Sequence, residues 1–97
     1  MTVTTNDIKI SLRVQTNTDD SLISNYLKAA QDYVHNAVDS TAKIDELQIY
    51  SQFDIAVAML TEFWYQNRGS VTTASQEPPY SVVSMIQQLR GMFTENV

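Results

Sequence analysis

Apolar positions recur every three to four residues along most of this chain, the spacing of amphipathic helices rather than of strands. The clearest stripe runs through Leu22, Ile23, Tyr26, Leu27, Ala30, Tyr33, Val34, Ala37 and Val38, with Ser24, Asn25, Lys28, Gln31, Asp32, His35 and Asn36 on the other side. It predicts a helix from Asp19 or Asp20 to about Val38, in which Ala30 and Ala37 leave room for a close neighbour. The least polar run is Phe53 to Arg68, where Phe53, Val57, Leu60 and Trp64 share one face and Ile55, Met59 and Phe63 an adjoining one. A helix that is apolar over most of its circumference is normally enclosed by other elements. This run is therefore expected to be the central helix, starting near Asp45 or only near Tyr50, with Gly69 as its left-handed stop.

The remaining elements are shorter. Residues 1–5 have the β-branched composition of an extended arm, after which Thr5 or Asn6 can cap a first helix with Asp7 in its first turn and Ile8, Leu12 and Val14 on its apolar side. Gln15 to Asp20 has turn and cap chemistry, and Asp39 to Ile44 breaks the stripe between the second and third helices. Residues 69–80, GSVTTASQEPPY, carry no stripe and read as a loop with room for a small hairpin at Val71 to Ala74. Ser81 can cap a short last helix with Val82, Met85, Ile86 and Leu89 on one face, ended by Gly91. Residues 92–97 are left as a tail, whose Met92 and Phe93 either pack back onto the domain or insert into a partner. The fold class is all-α: one compact domain, residues 1–97, of about four helices, with the long second and third antiparallel.

Composition narrows this picture. At 97 residues the chain is one domain, able to bury roughly 60 to 65% of its unfolded surface. With 43% hydrophobic residues it can hold a core without staples, and the absence of cysteine excludes disulfides and thiolate metal sites. Two glycines and two prolines favour long helices over a turn-rich β fold. Eleven acidic against six basic residues give a formal charge of -5, the wrong sign for affinity built on neutralising phosphates. No apolar run approaches the roughly 20 residues that span a bilayer. The opening MTVTTNDIKI lacks the regions of a signal peptide, so a soluble protein made in the cytoplasm is expected.

Candidate chemistry is sparse. His35, with Asp32 three residues before and Asp39 four after, has metal-ligand residue types on a polar helix face, an arrangement also common by chance. Asp19–Asp20 and Asp45–Glu46 stand where helices begin, so capping accounts for them. There is no phosphate-binding glycine loop, nucleophile elbow or Walker pattern, and neither an enzyme nor a cofactor is expected. Phe63, Trp64 and Tyr65 could suggest base stacking, but such platforms work inside basic grooves, and Glu62 and Arg68 do not make one. Phe63 and Trp64 read as core, and Tyr65, about 100° further round, reads as nearer the surface. Lys9 and Arg13 form either a solvated pair or a small docking patch for an acidic partner.

Four stretches in order carry a resemblance. Ile8-Lys9 is followed by Leu12-Arg13-Val14; Asp19-Asp20 leads into Leu22-Ile23, Leu27, Ala29-Ala30 and Tyr33-Val34; Ala56 to Arg68 contains Ala58, Leu60, Trp64-Tyr65 and Asn67-Arg68; a last helix after a proline-containing loop ends at Leu89-Arg90. In this order the chain resembles the small head-tail connectors, or head-completion adaptors, of long-tailed bacteriophages, sometimes called DNA-packaging proteins. Residues 39–52 and the tail after Arg90 depart from that pattern.

The resemblance implies a non-enzymatic virion protein, made in the bacterial host and located at the head-tail junction. It implies a homo-oligomeric ring, commonly dodecameric, that docks on the portal protein, extends the DNA channel and presents a surface to the next connector or tail-completion protein. DNA would pass without sequence-specific binding, and twelve copies at -5 each would line up -60 of formal charge. The residues expected at subunit or portal contacts are Lys9, Arg13, Tyr65, Arg68, Arg90, Met92 and Phe93, with Val57, Leu60 and Trp64 holding the fold. The alternative reading is a small helical DNA-binding or regulatory module, disfavoured by the charge and by so apolar a third helix.

Overall fold

A computed structural model describes residues 3–67 and 78–95, with side chains as far as Met92. Five helices appear among them: α1 (Thr5–Leu12), α2 (Asp20–Asp39), α3 (Ile44–Leu47), α4 (Ser51–Gln66) and α5 (Tyr80–Glu95). No strand occurs among the described residues, so the all-α reading holds. The core forms where α2, α4 and α5 meet, and α1 lies across α2 and α4.

Each wall contributes a stripe at helical spacing. Ile23, Leu27, Ala30 and Val34 are buried from α2, and Val82, Ile86 and Leu89 from α5. α4 supplies Phe53, Ala56, Val57 and Leu60, all at most 1% exposed, as expected of a central element. Leu47 from α3 and Ile8 from α1 close the two ends of this cluster. α2 and α4 run antiparallel, since Tyr65 near the end of α4 reaches Asp19 at the start of α2.

The enclosure of α4 is narrower than its composition suggests. Ile55 is 43% exposed, and Met59, Phe63 and Trp64 are only half-buried. The buried stripe instead includes Asp54, Thr61 and Tyr65, three polar or amphipathic residues spaced seven and four apart. Thr61 is tolerated there because its hydroxyl donates to the Val57 carbonyl oxygen at 2.7 Å within the same helix.

Helix ends differ from the sequence reading in instructive ways. The first helix is capped by Thr4, not Thr5 or Asn6: the Thr4 hydroxyl accepts from the Asp7 N–H at 3.1 Å, and the Asp7 carboxylate accepts from the Thr4 N–H at 3.0 Å. The third segment splits into the single turn of α3 and the separate α4, because the Glu46 carboxylate caps the Lys43 N–H at 3.0 Å and the chain bends at Tyr50. α4 stops at Gln66, where the Asn67 side-chain amide and backbone N–H both donate to the Phe63 carbonyl, at 2.8 and 3.0 Å. Gly69, Arg68 and the hairpin considered at Val71 to Ala74 lie outside the described residues.

α5 is also longer than expected. It begins at Tyr80, with the Pro79 carbonyl accepting from the N–H groups of Val82 and Val83, and it passes through Gly91 to Glu95. Gly91 keeps an ordinary helical conformation with nothing near its missing Cβ, so it costs helix propensity without forcing a stop. Met92 is thus a helical, half-buried residue rather than the start of a tail.

Candidate assembly surface

The side chains expected at a surface divide into those already engaged within the subunit and those presented outward. Lys9 belongs to the first group. Its ammonium lies 2.7 Å from the Asp20 carboxylate and donates to the Asn17 side-chain oxygen at 2.8 Å, and its side chain is only 13% exposed. The lysine thereby closes the turn between α1 and α2 and sits in the last turn of α1, where a cation suits the helix dipole.

Arg13 is different. It caps α1 at φ 61°, ψ 35°, the one non-glycine residue of positive φ among those described. The N–H groups of Arg13 and Val14 donate back to the carbonyls of Ile10 (3.2 Å) and Lys9 (2.9 Å), the crossed pair of bonds that ends a helix on a left-handed residue. Glycine adopts this conformation without strain, whereas an L side chain does so at a cost. The Arg13 side chain is exposed and has no ion-pair or hydrogen-bond partner among the described residues.

Tyr65, expected nearer the surface, is buried at 8% exposure, and its hydroxyl donates to the Asp19 carboxylate at 2.5 Å. Asp19 accordingly makes no side-chain cap on α2. The ring of Trp64, expected in the core, lies at the edge of it, 6.3 Å from that of Tyr26 and 6.2 Å from that of Tyr33 in an edge-to-face contact. Arg90 is exposed but anchored: its Nε donates to the Ala37 carbonyl at 2.6 Å, supplying from α5 the positive charge that the last turn of α2 lacks. Arg68 and the Phe93 side chain lie outside the described residues.

The other polar groups serve local structure. His35 donates through Nε2 to the Ala42 carbonyl at 2.5 Å, which fixes the link after α2. The Asp39 carboxylate accepts from the Thr41 hydroxyl (2.6 Å) and the Thr41 N–H (2.9 Å), and these bonds hold its pKa below the ordinary value. Among the described residues no cluster of three or more histidine or acidic side chains is placed to hold a metal. The open depression lined by Thr5, Asp20, Ser21, Ser24 and Asn25 offers hydroxyls and one carboxylate without a histidine base beside them. The Ser11 hydroxyl donates to the Glu62 carboxylate at 2.9 Å and ties α1 to the far half of α4.

Asp54 stands apart. It is buried in the first turn of α4 at 8% exposure, with its Oδ2 unpartnered. Desolvation raises its pKa above the ordinary 3.8. No sequence signal marks it, since an acid in a first turn reads as a dipole complement.

What these residues build is a helical block whose elements are tied to one another by side-chain bonds at both ends. Residues 2–90 match the model of the phage gp6-like head-tail connector protein family. The chain belongs to that family. It is a virion assembly family of structural rather than enzymatic proteins. Neither a similar curated protein nor a similar solved structure was found. Among the described residues of this connector, no helix is long and apolar enough to cross a membrane.

Proposed function

We propose that this connector assembles into a homo-oligomeric ring between the portal vertex and the tail, prolonging the DNA channel and completing the head. The observation that carries this reading is the family match over nearly the whole chain. A ring of identical copies requires that one patch of each subunit meet a different patch of the next. The subunit has the rigidity for this role: Lys9, Glu62, Tyr65 and Arg90 lock α1, α4 and α5 to their neighbours. Arg13, Met92 and Phe93 are the residues proposed for contacts with other copies or with the portal, along with Arg68 and the outward edge of Arg90. Lys9 and Tyr65 support such contacts from inside the subunit.

The net charge of -5 per copy suits a conduit, because an acidic wall repels DNA and lets it slide. Assembly depends on the portal or on high concentration, since premature rings would obstruct ordered morphogenesis. Light scattering over a concentration series, with and without portal protein, tests this. The mass is expected to step up when portal is added; a chain that stays monomeric at every concentration and ignores portal defeats the proposal.

A further inference from the structure

The junction between α3 and α4 turns on Tyr50. The Gln48 N–H donates to the Ile44 carbonyl at 3.0 Å and the Tyr50 N–H to the Leu47 carbonyl at 3.1 Å, so the turn of α3 runs on in its bonding as far as Tyr50. Gln48 is itself helical, at φ -69°, ψ -11°, whereas Tyr50 is extended, at φ -96°, ψ 127°. This bend leaves two local costs. Tyr50 makes no side-chain cap, and the N–H groups of Ser51 and Gln52 have no bond to the preceding chain. Ile49 is 75% exposed, the most exposed aliphatic side chain among the described residues.

Turning Tyr50 into the helical region would join Ile44 to Gln66 as one helix. The Ser51 and Gln52 N–H groups would then meet the Leu47 and Gln48 carbonyls. Ile49 would stand one turn before Phe53 and two before Val57, continuing their buried stripe. Arg90, near the end of α5, bonds Ala37 near the end of α2, which puts that end of α5 beside the start of α4 as a wall for Ile49. The opposing contribution is Leu47, fully buried in the bent form and drawn out of the core by straightening together with half-buried Ile44. Burial alone holds α3 in place, since no side-chain hydrogen bond ties it to another helix among the described residues.

We infer that the α3–α4 junction is a conformational switch hinged at Tyr50, bent in the free subunit and straightened into one helix from Ile44 to Gln66 when the subunit joins the ring. The inference rests on the proposed ring and gives the reason its assembly waits: the bend hides Ile44 and Leu47. On the straight helix these two share a face with Ile55, already 43% exposed, and that face reaches the next copy of the chain only after the hinge has turned. The free subunit therefore lacks the surface on which it assembles. The next copy, by covering that surface, shifts the balance to the straight form.

Ser51→Pro separates the two forms. Proline suits the first position of a helix after an extended residue, and the Ser51 N–H is unused in the bent form. In the straight helix it removes the bond to Leu47 and clashes with that carbonyl. The variant should unfold at a urea midpoint no lower than the parent's, yet assemble with portal protein at least tenfold more weakly, while Ser51→Ala assembles like the parent. A second measurement leaves the hinge itself unaltered. The chain contains no cysteine, so spin labels at the exposed positions Asp45→Cys and Gln66→Cys report the hinge without background. With the labelled chain diluted into unlabelled chain, their separation should lengthen on assembly to about 32 Å, the span of a continuous helix between them. A folded Ser51→Pro chain that assembles like the parent, or a label separation unchanged by assembly, overturns the switch while leaving the ring standing. A parent chain that remains monomeric with portal overturns both.

Discussion

The bond from Tyr65 to Asp19 separates a residue that holds the subunit together from one that contacts other subunits, and Tyr65→Phe tests it. The substitution keeps the buried ring and removes only the hydroxyl, which donates to a carboxylate 2.5 Å away at the start of α2. A hydrogen bond to a charged group is worth about 1.5 to 3 kcal/mol net, and the half-buried Asp19 retains some access to water, so the lower end, about 1.5 kcal/mol, is expected. For 97 residues, an unfolding entropy near 2 cal/mol/K per residue converts this to a fall in Tm of about 7 °C. In urea the midpoint should drop by about 1 M with the slope unchanged, as monitored by circular dichroism at concentrations where the chain is monomeric. Once folded, Tyr65→Phe should assemble like the parent chain. Parent-like stability, within about 0.3 kcal/mol, would refute the role of the hydroxyl; parent-like stability with lost assembly would return Tyr65 to the subunit contacts.

Other perturbations probe the same division. Asp54 has a raised pKa, so its protonated form favours the folded chain: that contribution is complete below about pH 3.8 and is lost as pH rises through the higher folded value. Asp54→Asn should remove this slope and raise the urea midpoint at neutral pH; urea midpoints across about pH 4 to 7 that fall equally in both proteins would count against the burial argument. Arg13→Gly should stabilise the monomer by about 0.5 kcal/mol through relief of the left-handed backbone while weakening assembly, measured by thermal unfolding and light scattering. Leu60→Ala, in the fully buried centre of α4, should cost about 3 kcal/mol, and a loss below about 1 kcal/mol would mean that α4 is not central.

The long helices were readable because their core residues repeat at helical spacing, as in Ile23, Leu27, Ala30 and Val34 or in Val82, Ile86 and Leu89. The buried side of α4 was only half readable. A wheel of apolar residues points toward Ile55, Met59 and Phe63, whereas the core accepts Asp54, Thr61 and Tyr65, of which Thr61 finds its partner in the same helix and Tyr65 in distant sequence. α3 was hidden by its length of four residues and by a cap built from Lys43 and Glu46 rather than serine or threonine. Gly91 suggested a stop that the backbone does not take, and Arg13 takes a left-handed stop that its identity does not announce. The candidate surface residues followed the same rule. Which cations are tied inward, as Lys9 is to Asp20, depends on contacts between elements, and only the folded chain defines them.

The proposed ring should be visible on the portal. Negative-stain electron microscopy of the purified chain mixed with portal protein tests it most directly. Portal particles should carry an added coaxial collar with a central channel. Portal particles that remain bare beside a monomeric chain would contradict it.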